Sequence, residues 1–198
     1  MKLFGRKHHQ REQTLPVLQT ERLVLRCFDV NDAVDVFAYA KNPNVGLMAG
    51  WQPHQSIEDS RGWITKMLIA GNTWAIVEKK AGRVVGAVTL KEDRSRQVKN
   101  ALELGYALGE ESWGRGYATE ACREVMRYAF NDKECPVLSV THFPQNSSSK
   151  RVVKKLGFVS EGAIRYAYAM PDGTVRDLML YSMTEPEYRA LYAKKTEG

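Results

Sequence analysis

The amino-acid sequence predicts a mixed α/β domain, an α+β arrangement with a twisted, mostly antiparallel sheet and helices packed on it. Three observations predict this. Two apolar runs, 74–77 and 84–90, flank Lys80-Ala81-Gly82-Arg83 and spell a hairpin. A strand-like run at 101–108 leads through Trp113-Gly114-Arg115-Gly116-Tyr117-Ala118 into a helix-like run at 118–130 and then a short strand at 137–141, which is a βαβ unit. Finally, Pro171-Asp172-Gly173 is a turn signal between two long strand-like runs, 158–170 and 174–183.

The remaining elements follow in chain order. Thr20-Glu21-Arg22-Leu23-Val24-Leu25-Arg26 alternates and predicts a first strand. Asn31 is expected to cap a helix whose Val34, Phe37 and Ala38 recur at helical spacing, with Asn42-Pro43-Asn44 ending it. Ser56 and Asp59 have the spacing of an acidic capping box and start a second helix with Trp63, Ile64, Met67 and Leu68 as its buried stripe. Residues 45–55 between the two helices, including Trp51, are expected to be a loop of the kind that walls a pocket. Polar residues 94–100 connect into the strand 101–108. The helix after the glycine turn buries Ala121, Cys122, Val125, Met126 and Ala129 and leaves Glu120, Arg123, Glu124 and Arg127 in solvent. After the strand 137–141, Asn146 caps a helix over 147–156 that stops at Gly157.

Composition narrows the function classes. A chain of 198 residues with 43% hydrophobic and 26% charged residues suits one globular domain, 17–198, preceded by a basic tail, 1–16. Within that tail Lys2, Arg6, Lys7 and Arg11 face only Glu12, so half of the net charge of +6 lies there and the body is only mildly basic. The excess charge is not interleaved with aromatics, and no nucleic-acid partner is expected. Cys27, Cys122 and Cys135 form neither a CxxC pair nor a metal-ligand pattern, and their odd number suits the reducing cytoplasm. No secretory signal or membrane-spanning run is legible, and His8 and His9 in the polar tail are expected to be solvated, so no metal and no membrane partner is expected. The pattern carries no signal for or against a dimer.

A glycine-rich turn between a strand and a helix aims unpaired backbone N–H groups, at the positive end of the helix dipole, toward one spot. That spot suits an anion, in particular a phosphate. A P-loop would need Gly-Lys-Ser/Thr, which is absent. A dinucleotide fingerprint would need a third glycine where Thr119 stands. On the turn alone, a connection without any ligand stays open.

Two motifs in order resolve the ambiguity. Gly116-Tyr117-Ala118 resembles the end of the Gln/Arg-x-x-Gly-x-Gly/Ala acetyl-CoA motif of the GNAT superfamily of N-acetyltransferases, although Trp113 stands where that motif has Gln or Arg. Asn146-Ser147-Ser148-Ser149, followed by Leu156-Gly157-Phe158, resembles the same family's Asn-x-x-Ser/Ala to Gly-Phe segment. Thr-Glu-Arg-Leu-Val-Leu-Arg, Leu-Glu-Leu-Gly-Tyr and Asp-Gly-x-x-x-Asp are similar to the ribosomal-protein N-terminal acetyltransferase branch, and the likeness runs over 18–192. The resemblance implies that acetyl-CoA binds where two central strands, here 101–108 and 137–141, splay apart. It implies main-chain contacts from Tyr106, Ala107 and Leu108, a diphosphate cradle of N–H groups from Trp113, Gly114, Arg115, Gly116, Tyr117, Ala118 and Thr119, and further contacts from Asn146 and Ser149. The partner is an amine acceptor, in this branch a protein N-terminus. A small amine or aminoglycoside, and a non-catalytic acyl-CoA-binding module, are the alternatives.

Acetyl transfer from a thioester needs a neutral amine, a polarised carbonyl and a proton for the departing thiolate. Along 101–108, Leu102, Leu104, Tyr106 and Leu108 share one face while Glu103, Gly105 and Ala107 share the other. Glu103, an acid on the face with small neighbours, is the first candidate base, directly or through water. Glu161 is the second, because close relatives in the resembled branch carry a glutamate there, and His142 is the third. Val153 occupies the position of the tyrosine that many family members use as acid, which excludes that route. Ser149 matches the serine that would protonate the thiolate in the resembled branch, with completion of the helix cap as its plainer role. Lys150, Arg151, Lys154 and Lys155 form a basic helix face that is either solvated or turned toward the cofactor's 3′-phosphate.

Overall fold

The computed structural model describes residues 15–192. In chain order the elements are β1 (Leu18–Gln19), β2 (Leu23–Arg26), α1 (Ala33–Ala40), α2 (Pro43–Ala49), α3 (Ile57–Ala70), β3 (Thr73–Glu78), β4 (Arg83–Glu92), β5 (Leu102–Leu108), α4 (Tyr117–Arg127), β6 (Val137–His142), α5 (Ser147–Lys155), β7 (Val159–Ala169), β8 (Val175–Thr184) and α6 (Glu185–Tyr192). The expected tail 1–16 lies outside the described residues except for Leu15 and Pro16. These two are tied to the body: Leu15 packs on the core and the Pro16 carbonyl accepts the Trp74 indole N–H at 2.8 Å.

One sheet of eight strands runs β1-β2-β3-β4-β5-β6-β8-β7. Every neighbouring pair is antiparallel except β5 and β6. This central parallel pair is short. Leu102, Glu103 and Leu104 register with Leu138, Ser139 and Val140, and the pairing stops there. Beyond it, β5 stays bound to β4 as far as Leu108, opposite Gly86, and β6 stays bound to β8 as far as His142, opposite Met179. Each arm is therefore held by its outer neighbour while the inner edges part, as the twist of a sheet permits. The result is a V that opens toward Leu108 and His142.

Two apolar layers stabilise the sheet. On one side α4, α5 and α6 pack with Trp74, Leu104, Leu138, Met126, Val153 and Leu156; on the other α1 and α3 pack with Phe28, Val36, Ile64, Ala75 and Ala87. Burying each such large apolar side chain contributes about 1.5–3 kcal/mol. The stripe expected for α4 is confirmed, since Ala121, Cys122, Val125, Met126 and Ala129 are all fully buried. The Ser56–Asp59 capping box is present, as is the Asn146 cap.

Four expectations need correction. Pro43–Ala49 is a helix, not a loop: Asn42 accepts the Asn44 N–H and Pro43 occupies the first helical turn, so the residues that follow the end of α1 at Ala40, as expected, also start α2. The cap before α1 is Asp29, in a capping box with Asp32, rather than Asn31. The buried stripe of α1 is Ala33, Val36, Tyr39 and Ala40, whereas Val34 is exposed, because the preceding 3-10 turn shifts the helix phase. In α3 Leu68 is likewise exposed, while Ile64 is fully buried and Trp63 and Met67 pack only partly.

Candidate active site

A cavity of about 560 Å³ lies along the edge of β5 that β6 has left, in the size range of small-molecule sites. One wall is β5 with Tyr106, Ala107 and Leu108, continued by Trp113, Gly114 and Gly116 of the glycine turn and by Tyr117, Ala118 and Thr119 at the start of α4. The opposite wall is one face of α5 and its cap, including Asn146, Ser149, Arg151 and Lys155, and the roof is α2 with Asn44, Val45, Met48 and Ala49. Eleven of the twelve expected cofactor-binding residues thus lie on one surface. Arg115 is the exception.

The turn has the geometry of an anion cradle. Gly114 and Gly116 have φ of +73° and +83°, and a Cβ built on Gly114 would meet nothing within 4 Å among the described residues beyond its chain neighbours. Gly116 is also the N-cap of α4 and brings no capping side chain, so the N–H groups of Tyr117, Ala118 and Thr119 are the orphan donors of a helix start. The turn is braced from behind. Arg115 pairs with Glu78 at 2.8 Å and Tyr117 donates its hydroxyl proton to the same carboxylate. Arg22 donates to the Arg115 carbonyl at 3.0 Å and pairs with Glu120 at 2.6 Å. Both guanidinium groups also lie against the Tyr117 ring, 4.8 Å away for Arg22 and 4.6 Å for Arg115. The Tyr117 hydrogen bond, with Arg115 beside it, holds the Glu78 carboxyl below the usual carboxylate range. The Arg115 side chain therefore faces this brace and not the cavity.

At the other wall, Asn146 accepts the Ser149 N–H at 2.9 Å and donates to the Met48 carbonyl at 3.2 Å, which ties the start of α5 to α2. The cap uses the main chain of Ser149 and leaves its hydroxyl free for another partner. That partner is Tyr106, whose hydroxyl lies 2.7 Å from Ser149 Oγ.

The three candidate bases do not line the cavity. Glu103 sits in the last paired stretch of β5 and β6, 3.1 Å from the Lys91 ammonium and 3.4 Å from the Thr141 hydroxyl, which donates to it. Glu161 accepts from Arg96 at 2.5 Å and from the Ser182 hydroxyl. The Ser182 hydrogen bond first, then Arg96, lowers its pKa, which makes it a weaker proton acceptor. A carboxylate depressed in this way stabilises the fold above its unfolded pKa and loses that contribution as pH falls through its folded value. Glu161→Gln should accordingly lower stability near neutral pH by about 1 kcal/mol or less, with the difference vanishing in acid. Urea titrations of both proteins at the two pH values check this. His142 is buried, stacked on Tyr181, and donates from Nδ1 to the Phe143 carbonyl at 2.8 Å.

The expectation that residues 45–55 wall a pocket holds for Val45, Met48 and Ala49, which do so from a helix rather than a loop. Pattern reading missed Asn44 of the same roof and the helix itself, though Asn before Pro is also a start signal. The Glu78 brace joins residues far apart in sequence, and no local pattern marks it. Among the described residues no His, Cys, Asp and Glu cluster suits a metal, and no helix is long and apolar enough to cross a membrane.

Comparison with known proteins agrees with this geometry. A family model described as an acetyltransferase (GNAT) domain matches residues 22–159. An uncharacterised N-acetyltransferase, YoaA, of Bacillus subtilis is 30% identical over 176 residues, 86% of this chain and 98% of that protein. The ribosomal protein uS5-alanine N-acetyltransferase of Escherichia coli is 24% identical over 181 residues, 86% of this chain and 92% of its own length. In fold, the chain is similar to the microcin C7 self-immunity acetyltransferase MccE, solved with acetyl-CoA and AMP, at a TM-score of 0.72 and 19% identity over 83% of this chain and 93% of that one.

Proposed function

Because the chain belongs to the GNAT acetyltransferases, and so is an N-acetyltransferase that uses acetyl-CoA, we propose that its acceptor is the N-terminal amine of a protein and that transfer takes place in the V between β5 and β6. The parting of these strands past Leu104 and Val140 is the observation that carries the reading of the site. It leaves β5 without a β6 partner at the edge of a cavity that also takes in the helix N–H donors of the glycine turn. The likeness to the uS5-alanine enzyme over most of both chains supports the choice of acceptor.

The residues fit the cofactor. Gly114, Gly116, Tyr117, Ala118 and Thr119 would hold its diphosphate with N–H groups, and Arg151 and Lys155 would screen further phosphate charge. Acetyl-CoA supplies an activated acyl carbon and a good leaving group. A free N–H of the parted segment of β5 would stabilise negative charge on the carbonyl oxygen as the amine nitrogen bonds to carbon. Glu103, acting through a water, would take the proton that the amine loses and pass it to solvent. Ser149 would give its hydroxyl proton to the departing sulfur as the C–S bond breaks and regain one from water. The products are an N-acetylated amine and free CoA thiol, and the ternary complex requires no covalent enzyme intermediate.

A thiol-release screen tests the acceptor. Release stimulated by peptides with a free N-terminus, and not by polyamines or aminoglycosides, is expected; stimulation by small amines alone would replace the acceptor, and acetyl-CoA binding without release across the panel would make the domain a binding module. The base has its own test. Glu103→Gln is expected to lower kcat by about 100-fold with acetyl-CoA affinity unchanged and the acidic limb of the pH–rate profile lost. An unaltered profile would assign the proton to water alone.

A further inference from the structure

The family's usual acid position on α5 is occupied by Val153, which is fully buried and carries no proton to give. A tyrosine nevertheless reaches the start of α5, from the other arm of the V. Tyr106 on β5 was expected to serve only through its main chain, but its hydroxyl crosses the cavity wall to Ser149, 2.7 Å from Oγ and 3.3 Å from the carbonyl oxygen. Two further facts limit what this contact does. The Ser149 N–H is satisfied by Asn146 at 2.9 Å, so the serine hydroxyl is not spent on the helix cap. Both residues line the cavity, so the pair faces the space where the thioester would lie.

We infer that Tyr106 is a positioning residue for Ser149, donating its hydroxyl proton to Ser149 Oγ so that the serine's own hydrogen points into the V toward the leaving sulfur. The inference rests on the reading of Ser149 as the acid. A hydroxyl has one hydrogen. If Ser149 donated to Tyr106, it would have none for the sulfur, and with Tyr106 as donor the serine proton is free to rotate into the cleft. As the C–S bond breaks, its electron pair stays on sulfur and the Ser149 proton moves to it. The negative charge that develops on Oγ is then met by the Tyr106 O–H, a charge-assisted hydrogen bond. Burial raises the pKa of Tyr106, so the phenol remains a donor throughout and gives up no proton itself. Water returns a proton to Ser149 after the thiol leaves.

A double-mutant cycle of Tyr106→Phe and Ser149→Ala tests this, since each change removes a hydroxyl and keeps the packing. Tyr106→Phe is expected to lower kcat roughly tenfold, with acetyl-CoA affinity, acceptor KM and unfolding midpoint near those of the parent. Ser149→Ala is expected to lower kcat roughly 100-fold, and adding Tyr106→Phe to it should cost nothing more. An equal further loss in the Ser149→Ala background would mean that Tyr106 acts independently and would overturn the inference. So would a Tyr106→Phe variant with parental kcat, or one whose loss lies in acetyl-CoA affinity, while a large Ser149→Ala effect kept the acid reading intact. Parental kcat in Ser149→Ala would remove the acid reading itself, and with it the role of Tyr106.

Discussion

Gly116→Val should weaken acetyl-CoA binding by at least about 100-fold by calorimetry, because two independent penalties meet at this residue. The first is conformational: φ of +83° costs a residue with a Cβ roughly 1–2 kcal/mol, and more if it is β-branched. The second is steric and falls on the cradle. Gly116 lines the cavity at the N-cap of α4, and a Cβ built on it lies 3.4 Å from Arg22 Nη2, so the larger valine side chain would press on the brace behind the turn and disturb the N–H groups that would hold the diphosphate. The strain alone should lower the unfolding midpoint by roughly 2–8 °C and leave the fold intact. Gly82→Val separates the two effects. Gly82 has φ of +65°, stands in the β3–β4 turn and has nothing within 4 Å of a built Cβ. It should show a similar stability loss with parental affinity, and equal affinity losses in the two variants would refute the cradle.

The second large effect concerns the arm of the V itself. A Cβ on Gly86 would lie 2.3 Å from the Ala107 carbonyl oxygen and 2.9 Å from the Leu108 Cα, distances that real side chains do not reach. The Leu108 Cδ2, at 2.6 Å, can turn aside, but these two obstacles are backbone, so Gly86→Ala must push β5 away from β4, where Gly86 registers with Leu108. Overpacking of this kind costs about 1–3 kcal/mol, and here the displaced atoms are also the cavity wall. Gly86→Ala is therefore expected to lose stability and acetyl-CoA affinity together, measured by urea titration and calorimetry on the same preparation. Gly62→Ala is the counterpart. Gly62 lies inside α3, and a Cβ built on it meets no other described residue within 4 Å beyond its own helix, so alanine should raise stability by about 0.5–1 kcal/mol without touching the site. Parental stability in Gly86→Ala would show that β5 is not clamped where the geometry has it.

What was legible in the sequence follows a physical rule. Strand–turn–helix order, the α4 stripe and the caps at Ser56 and Asn146 are local, set by residues within a few positions of one another, and they read correctly. The glycine turn was legible for the same reason, since what it presents is mainly its own backbone. Phase was harder. One 3-10 turn capped by Asp29 rotated the α1 stripe away from Val34, and one Asn-Pro pair read equally well as an end or a beginning. Side-chain engagements across the sheet were not legible at all. Glu103 with Lys91 is set by strand register, while Glu161 with Arg96 and Ser182, Arg115 with Glu78, and Tyr106 with Ser149 are set by how a connection, a turn, a bulged strand and a helix pack against the sheet, and a linear pattern encodes neither.

These cross-sheet engagements also redistribute roles within the site. Arg115, expected to serve through its main-chain N–H, also lends its side chain to the brace behind the turn. Tyr106 turns from a backbone contact into the partner of the serine that faces it across the cavity. In the proposed function the labour is divided between the walls of the cavity: β5 and the glycine turn would hold the donor molecule, and the start of α5, tied to α2 by Asn146, would carry the proton for the sulfur.

The most direct test is a crystal structure of the protein with acetyl-CoA. The expected result has diphosphate oxygens within hydrogen-bonding distance of the N–H groups between Gly114 and Thr119, the acyl carbonyl at the free edge of β5, and the sulfur beside the Ser149 hydroxyl. A cofactor seated outside the V, or a V closed by pairing of Gly105–Leu108 with Thr141 and His142, would contradict it.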